Sequence, residues 1–107
     1  MFKIMLYKNK SLVFEKEGIL DGDCIKFDDI FYNLKNYSLI RENSDYKYTL
    51  DFNNEEATVE LKEKNFILPL GINVKKKDIT SKKHVIIYSI DSDNESENIL
   101  EISLNFK

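Results

Sequence analysis

The amino-acid sequence predicts an all-β domain built as an antiparallel meander of short strands. Apolar and polar residues alternate along most of the chain, which is typical of half-buried strands whose successive side chains point to opposite faces. Short polar or turn-forming segments separate these runs at lengths that suit hairpins. The chain has 107 residues, the size of one ordinary domain, so we expect residues 1–107 to form a single unit.

The amino-terminal half contains predicted strands at 2–7, 11–17, 23–28 and 36–41. Alternate apolar positions form a row in the first strand and a shorter row in the third, at Phe2, Ile4 and Leu6 and at Ile25 and Phe27. Asp21-Gly22 is the strongest turn signal, because both central residues of a type I′ turn need a positive φ. Residues 28–34 fit either a short helical turn capped by an acid or another strand.

The carboxy-terminal half contains predicted strands at 46–52, 57–63, 66–75, 84–90 and 98–106. The first and last of these show the clearest single apolar faces, formed by Tyr46, Tyr48, Leu50 and Phe52 and by Leu100, Ile102, Leu104 and Phe106. Residues 55–62 have a helix-friendly composition, but their period-two alternation favours a strand. The strand at 84–90 is apolar on both faces, so we expect neighbouring strands to cover both of its sides.

Many short strands with hairpin-length connections can fold as a sandwich or close as a barrel. We favour closure, because a closed sheet leaves no unpaired strand edge. A barrel of about eight strands encloses room for one small ligand at most.

Composition restricts the partners that this chain can have. The net charge is −3, and Arg41 is the only arginine among sixteen basic residues. Because arginine is the main reader of phosphates and bases, we expect no nucleic-acid binding. No apolar run reaches the ~18 residues that cross a membrane, and the first residues lack the cleavage site of a signal peptide. The lone cysteine, Cys24, cannot form an internal disulfide, so we expect a reducing, cytoplasmic location.

The sequence contains no catalytic, metal or cofactor motif, and we predict a protein that is not an enzyme. Cys24 and His84, each the only residue of its type, are expected to be an ordinary buried thiol and a histidine with a hydrogen-bond partner. The three glycines are too few and too scattered for a phosphate-binding loop. Asp28-Asp29 would point to opposite faces of an extended chain, which does not suit joint acid–base chemistry.

Two charged segments have functional interpretations with simpler alternatives. Residues 91–97 begin like a calcium loop, but Ser96 replaces the turn glycine and Ile102 stands where the bidentate glutamate belongs. We therefore favour a solvated hairpin tip. The lysines between residues 75 and 83 could bind an anionic surface, but without arginine we favour a loop that keeps strand ends soluble and unpaired.

Tyr46, Tyr48 and Tyr88 are the candidate ligand-binding residues. Tyr46 and Tyr48 lie on the apolar face of their strand, and Tyr88 lies on one face of the doubly apolar strand. A buried phenol hydroxyl needs a hydrogen-bond partner. Inside a barrel that partner is either a ligand or water, or else a backbone carbonyl, and the sequence leaves both alternatives open.

The stretch from Tyr37 to the end resembles the YwiB-like family, a bacterial group without an assigned role. Leu39-Ile40-Arg41-Glu42-Asn43 is similar to the Leu-Ile-Arg-x-Gly strand end of that family, and Asn43 at the glycine position implies left-handed backbone. Residues 66–71 are similar to its Tyr-x-Thr-Pro-Tyr-Gly segment, and residues 87–102 to its closing hairpin. The resemblance implies a calycin-like β-barrel and, by architecture alone, small-ligand binding.

These observations together predict a small barrel of the calycin and lipocalin type that binds a small, partly apolar ligand in its interior. The alternative is a protein-interaction or inhibitor module with no ligand. An enzyme would need an unrecognised carboxylate site and is the weakest hypothesis. A small molecule or a protein is therefore the expected partner, with no cofactor, and the oligomeric state stays open.

Overall fold

A computed structural model describes residues 2–91 and 93–104, without the side chains of residues 93 and 94. It contains ten β-strands: β1 (Phe2–Lys8), β2 (Ser11–Asp21), β3 (Cys24–Phe27), β4 (Ile30–Asn33), β5 (Ser38–Glu42), β6 (Tyr46–Asp51), β7 (Glu56–Leu61), β8 (Phe66–Ile79), β9 (Lys83–Ile90) and β10 (Asp93–Ser103). The part of the chain that the structure describes forms no helix that could cross a membrane.

Every strand pairs antiparallel with its neighbour in sequence, and β10 pairs with β1 to close the barrel. The closing register places Ile4 opposite Ile102 and Leu6 opposite Leu100, so the apolar rows of the first and last strands meet inside. The predicted all-β meander and its closure are confirmed. The strand at 84–90 is covered on both sides as expected, by β8 and β10.

Two strands pass from one side of the flattened barrel to the other. Residues 11–18 of β2 pair with β1, whereas residues 19–21 pair with β3. In the same way, residues 66–71 of β8 pair with β7 and residues 72–79 pair with β9. The barrel therefore consists of two sheets that share β2 and β8 at their corners.

A glycine lies at each of these corners. A Cβ on Gly18 would collide with the ring of Phe27 and the carbonyl oxygen of Lys26, and a Cβ on Gly71 would collide with the carboxylate of Asp91. Glycine is the residue that lets a neighbouring chain approach this closely where a strand bends. The close approach at both positions is what allows one strand to serve two sheets.

The structure decides several expectations about individual segments. Residues 28–34 contain strand β4 and no helical turn, because the chain reverses at Asp28, whose φ is 62°. Residues 56–61 form β7, as their alternation predicted. Asn43 is not among the residues with positive φ. Its side-chain oxygen instead accepts hydrogen bonds from the backbone of Asp45 and Tyr46. Phe106 lies outside the described residues.

The interior is filled by apolar side chains from all parts of the barrel. Residues that pair across neighbouring strands share a face, so one row of inward side chains runs across β3 to β8 as Ile25, Tyr32, Leu39, Leu50, Ala57 and Leu70. The next row runs as Phe27, Ile30, Arg41, Tyr48, Val59 and Leu68. We call the end of the barrel with turns 9–10, 28–29, 43–45 and 62–65 the upper end, and the opposite end the lower end.

Candidate functional site

The barrel interior contains a cavity of about 90 Å³ in its upper half. Its lining consists of inward-facing side chains from both sheets: Leu6, Phe14, Ile30, Leu39, Arg41, Tyr48, Leu50, Tyr88 and Leu100. Six of these nine are aliphatic or Phe, and the remaining three carry polar groups. An apolar cavity with a few converging polar groups is the usual form of a small-molecule site.

Two of the three predicted tyrosines line this cavity, and the third does not. Tyr48 and Tyr88 are lining residues. Tyr46 lies two positions before Tyr48 on the same face of β6, opposite Leu61 and towards the upper end. The structure thus brings Tyr48 and Tyr88 together from opposite sheets and leaves Tyr46 above them.

The hydroxyls of these two lining tyrosines make no hydrogen bond to any of the described residues. Tyr88 is only 4% exposed, and no side-chain nitrogen or oxygen that is sealed from solvent in the described part of the chain lacks a partner. The Tyr88 hydroxyl is therefore not sealed, and it faces the open volume of the cavity. Burial raises the pKa of Tyr88, and the nearby Tyr48 phenol raises it further. Burial also raises the pKa of Tyr48. Both phenols therefore stay protonated at neutral pH and can donate a hydrogen bond into the cavity.

Arg41 also lines the cavity, and the sequence analysis did not name it as a site residue. It lies in the inward row between Ile30 and Tyr48. Its Nε donates to Oδ2 of Asp29 at 3.1 Å, and its guanidinium carbon is 5.7 Å from the centroid of the Phe14 ring. The signal was present in the alternation, because Arg41 follows the inward Leu39 by two positions.

Asp29 fixes this guanidinium together with a second cation. Its other oxygen, Oδ1, accepts from Nζ of Lys16 at 3.3 Å, and the same Nζ is 3.3 Å from Asp28. Partial burial opposes ionisation of Asp29, but the hydrogen bonds and charges of Arg41 and Lys16 outweigh it and hold the pKa of Asp29 below its ordinary value. Asp28 and Asp29 were expected to point apart in an extended segment, but this segment is not extended: Asp28 has a φ of 62°, and both carboxylates contact Lys16.

An apolar surface continues upward from the cavity along the inner face of β6, β7 and β8. Its members pair across these strands as Tyr48, Val59 and Leu68 and, one row higher, as Tyr46, Leu61 and Phe66. We call five of these residues the ramp: Tyr46, Val59, Leu61, Phe66 and Leu68. Leu61, Leu68 and Phe66 are 39%, 45% and 50% exposed, so the ramp opens to solvent while its lower border adjoins the cavity.

The lower end of the interior contains a different polar group. The Tyr32 hydroxyl and Nδ1 of His84 are joined by a hydrogen bond of 2.8 Å between residues that are 0% and 5% exposed. The ring of Tyr37 packs edge-on against His84 at 5.7 Å, and Nζ of Lys77 lies 4.9 Å from the Tyr37 centroid. The prediction that His84 is a buried histidine with a partner is confirmed.

Cys24 is not the buried thiol that the sequence suggested. It is half-buried, and it faces away from the interior, because the neighbouring Ile25 is the inward residue of β3. Its sulfur lies 3.6 Å from the side-chain nitrogen of Asn33. The interior His84 is therefore on the other face of the barrel wall, and the two residues do not form a nucleophilic pair.

Three other regions offer no built site. The candidate calcium loop at 91–97 lies partly outside the described residues, and no group of three metal-ligating side chains occurs within them. A surface depression of about 620 Å³ between β2 and β3 is open to solvent and lined by Glu17, Gly18, Ile19, Lys26 and Asp28. The lysines at 75–77 are exposed on β8.

Comparisons of the chain with protein-family models, with curated proteins and with solved structures find no match. The resemblance to the YwiB-like family therefore stays a prediction. The geometry of the cavity carries the functional argument by itself.

Proposed function

We propose that this barrel binds a small, partly apolar ligand in its upper cavity. The observation that carries the proposal is the pair of tyrosine hydroxyls, on Tyr48 and Tyr88, that have no partner in the described residues and line an otherwise apolar space. No sealed side-chain polar atom of the described residues lacks a partner, so these hydroxyls face volume that water or a ligand can enter. A ligand that accepts hydrogen bonds from these phenols would replace water there and bury its own apolar part.

The size of the cavity restricts what it can hold. Its volume of about 90 Å³ is well below the range of roughly 300–1,000 Å³ of sites for drug-sized molecules. It corresponds to about three water molecules at ~30 Å³ each. The cavity therefore accommodates the polar head of a ligand, and the rest of the ligand lies on the adjoining ramp.

A titration followed by amide NMR tests the proposal. The ¹⁵N-labelled protein is titrated with matched short-chain compounds, namely butanol, hexanol and octanol, and butyrate, hexanoate and octanoate. We expect saturable shift changes at Leu6, Arg41, Tyr48 and Tyr88 and unchanged signals around His84. If no compound of either series perturbs the cavity residues in a saturable way, the proposal is wrong.

A cavity-filling variant provides the matched control. Leu100 lines the cavity and is 1% exposed, so Leu100→Phe places extra carbon atoms in the empty volume. We expect this variant to keep the amide spectrum of the folded barrel and to lose the saturable changes. Undiminished binding by L100F would show that the compounds bind elsewhere.

A protein-interaction module is the second candidate, and one observation favours it. We call residues 66–68, the start of β8 after the polar turn 62–65, the hairpin tip. It is apolar on both faces, because Ile67 lies on the outer face at 58% exposure while Phe66 and Leu68 are exposed on the ramp. Exposed apolar clusters of this kind mark protein contacts. The expected partner is a protein with a complementary apolar patch.

The outer face separates the two candidates. Ile67→Lys changes the hairpin tip without touching the ramp or the cavity. Under the second candidate, I67K abolishes co-purification of the partner from the host and leaves the NMR titration unchanged. A partner that I67K retains fully would show that the hairpin tip is not its docking site.

A further inference from the structure

We propose that the ligand of the upper cavity is a monocarboxylate whose carboxylate binds Arg41 and whose apolar tail lies on the ramp. This inference rests on the proposed function, because it assigns a chemical class to the ligand of the same site. It goes beyond that function because it names the charge of the ligand, the residue that binds the charged group and the direction in which the ligand lies.

The polar groups of the cavity are hydrogen-bond donors. A guanidinium carries five N–H donors and no acceptor, and within the described residues only the Nε of Arg41 is hydrogen-bonded, to Asp29. The terminal nitrogens thus remain available on a side chain that lines the cavity. Together with the phenols of Tyr48 and Tyr88 they form a donor-rich pocket, and a carboxylate supplies the matching acceptors.

The charge of the lining points the same way. Arg41 is the only charged side chain among the residues that line the cavity. Its counter-ion Asp29 binds the Nε edge and is shared with Lys16, so Asp29 orients the guanidinium without occupying its terminal nitrogens. Asp28, the second carboxylate of this cluster, has its side chain 79% exposed and therefore interacts mainly with water and Lys16.

The ramp determines the direction of the tail. Tyr48 belongs both to the cavity lining and to the row that continues through Val59 to Leu68. A carboxylate seated at Arg41 therefore has an apolar surface directly beside it, and the exposed Leu61 and Phe66 extend that surface upward. Each buried methylene contributes about 0.8 kcal/mol, so affinity rises with chain length until the tail passes the end of the ramp.

The experiment compares the carboxylates with the alcohols of equal chain length against four forms of the full chain: wild type, Arg41→Gln, Arg41→Lys and Asp29→Asn. Arg41 is partly exposed and belongs to no filled core position, so these variants keep the barrel, which the amide spectrum verifies. We expect octanoate to bind wild type at least about tenfold more tightly than octanol, because hydrogen bonds to a charged group are the stronger ones. R41Q loses that preference, R41K retains part of it, and D29N retains or increases it.

The outcomes distinguish the inference from the function on which it rests. If alcohols and carboxylates bind equally and R41Q changes neither, the cavity binds ligands but does not read a carboxylate, and the inference is wrong. If R41Q binds octanoate as tightly as wild type does, Arg41 is not the residue that binds the carboxylate. If neither series binds wild type, the proposed function itself fails.

Discussion

At the lower end of the barrel interior, Tyr32 has its hydroxyl bonded to His84 at 2.8 Å; at the upper end, Tyr88 is buried almost as deeply and has no partner within the described residues. Both tyrosines are inward members of central rows, at 0% and 4% exposure. Their rings pack against another ring, Tyr32 against His84 and Tyr88 against Phe52 at 5.0 Å. The two ends differ in whether the polar atom is satisfied by the protein.

The difference indicates a division of roles. Polar groups sealed inside folded proteins are almost always hydrogen-bonded, and the described residues contain no exception. The Tyr32 hydroxyl is satisfied within the protein, whereas the Tyr88 hydroxyl faces the cavity. The lower pair closes and orders its end of the core. Under the proposed function, the small volume and the donors of the upper end receive a ligand. Overpacking and removal of a hydroxyl each apply the same chemical change at both ends.

Overpacking separates the ends most strongly. Ile102 and Leu100 are inward neighbours on β10, but only Leu100 lines the cavity. Ile102→Phe forces an aromatic ring into filled space and should lower the free energy of unfolding by about 1–3 kcal/mol. Leu100→Phe occupies existing volume and should change it by less than about 1 kcal/mol. Urea unfolding of both variants measures this contrast, and equal losses would show that the upper cavity does not accept a larger side chain.

Removing a hydroxyl tests the satisfied and the unsatisfied tyrosine directly. Tyr32→Phe leaves Nδ1 of His84 buried without its partner, which should cost about 1–3 kcal/mol. Tyr88→Phe removes a hydroxyl that bonds to no described residue and should cost less than about 0.5 kcal/mol. Thermal or urea unfolding gives both values. A large loss for Y88F would reveal a hydrogen bond at the upper end and contradict the comparison.

The lower end should also confer a specific pH dependence. Burial lowers the pKa of His84 from its ordinary value of 6.5, and the titratable groups that face it are Tyr32, Tyr37 and, beyond Tyr37, Lys77. Below pH 6.5 the unfolded chain binds a proton that the folded chain resists. Stability is therefore fully present above pH 6.5 and falls as the pH drops from there towards the folded pKa, by at most about 1.4 kcal/mol per pH unit.

His84→Gln is the control for this dependence, because His84 is the only histidine and glutamine retains an acceptor for Tyr32. The variant should show a flat stability between pH 6.5 and the region where carboxylates titrate. Asp29 and Asp51 have lowered pKa values and contribute only at more acidic pH. A slope near pH 6 that survives in H84Q would assign it to another group.

The sequence predicts one end of this comparison better than the other. Alternation in 46–52 correctly placed Tyr48 and Leu50 inside, because a six-residue strand with one apolar face has a single plausible orientation. Tyr88 was ambiguous, since its strand is apolar on both faces and periodicity cannot say which face is inward. The identity of the partners, His84 for Tyr32 and none among the described residues for Tyr88, depends on strands that are far apart in sequence.

The sequence did not identify Arg41 as a cavity residue and did not decide between a strand and a helical turn at 28–34. The physical reasons are again non-local. Residue chemistry argues for an arginine outside the barrel, whereas Arg41 lies in an inward row with its counter-ion Asp29 from the β3–β4 turn and with its side chain 37% exposed. That turn depends on Asp28 at a φ of 62°. Aspartate tolerates this conformation, but an aspartate in the sequence does not predict it. The four-residue strand β4 is too short for periodicity to separate it from a helical turn.

The smallest expected effect on stability is for substitutions at the start of β8. Here the comparison is between the inner face of this strand, which carries the ramp, and its outer face. Leu68→Ser and Ile67→Ser change adjacent residues of β8 that are 45% and 58% exposed, so each should alter the free energy of unfolding by less than about 0.5 kcal/mol. Only L68S removes apolar surface beside the cavity. It should weaken octanoate binding in the NMR titration while I67S leaves it unchanged, because Ile67 lies on the outer face. Equal affinities of the two variants would place the tail elsewhere and leave the ramp without a role.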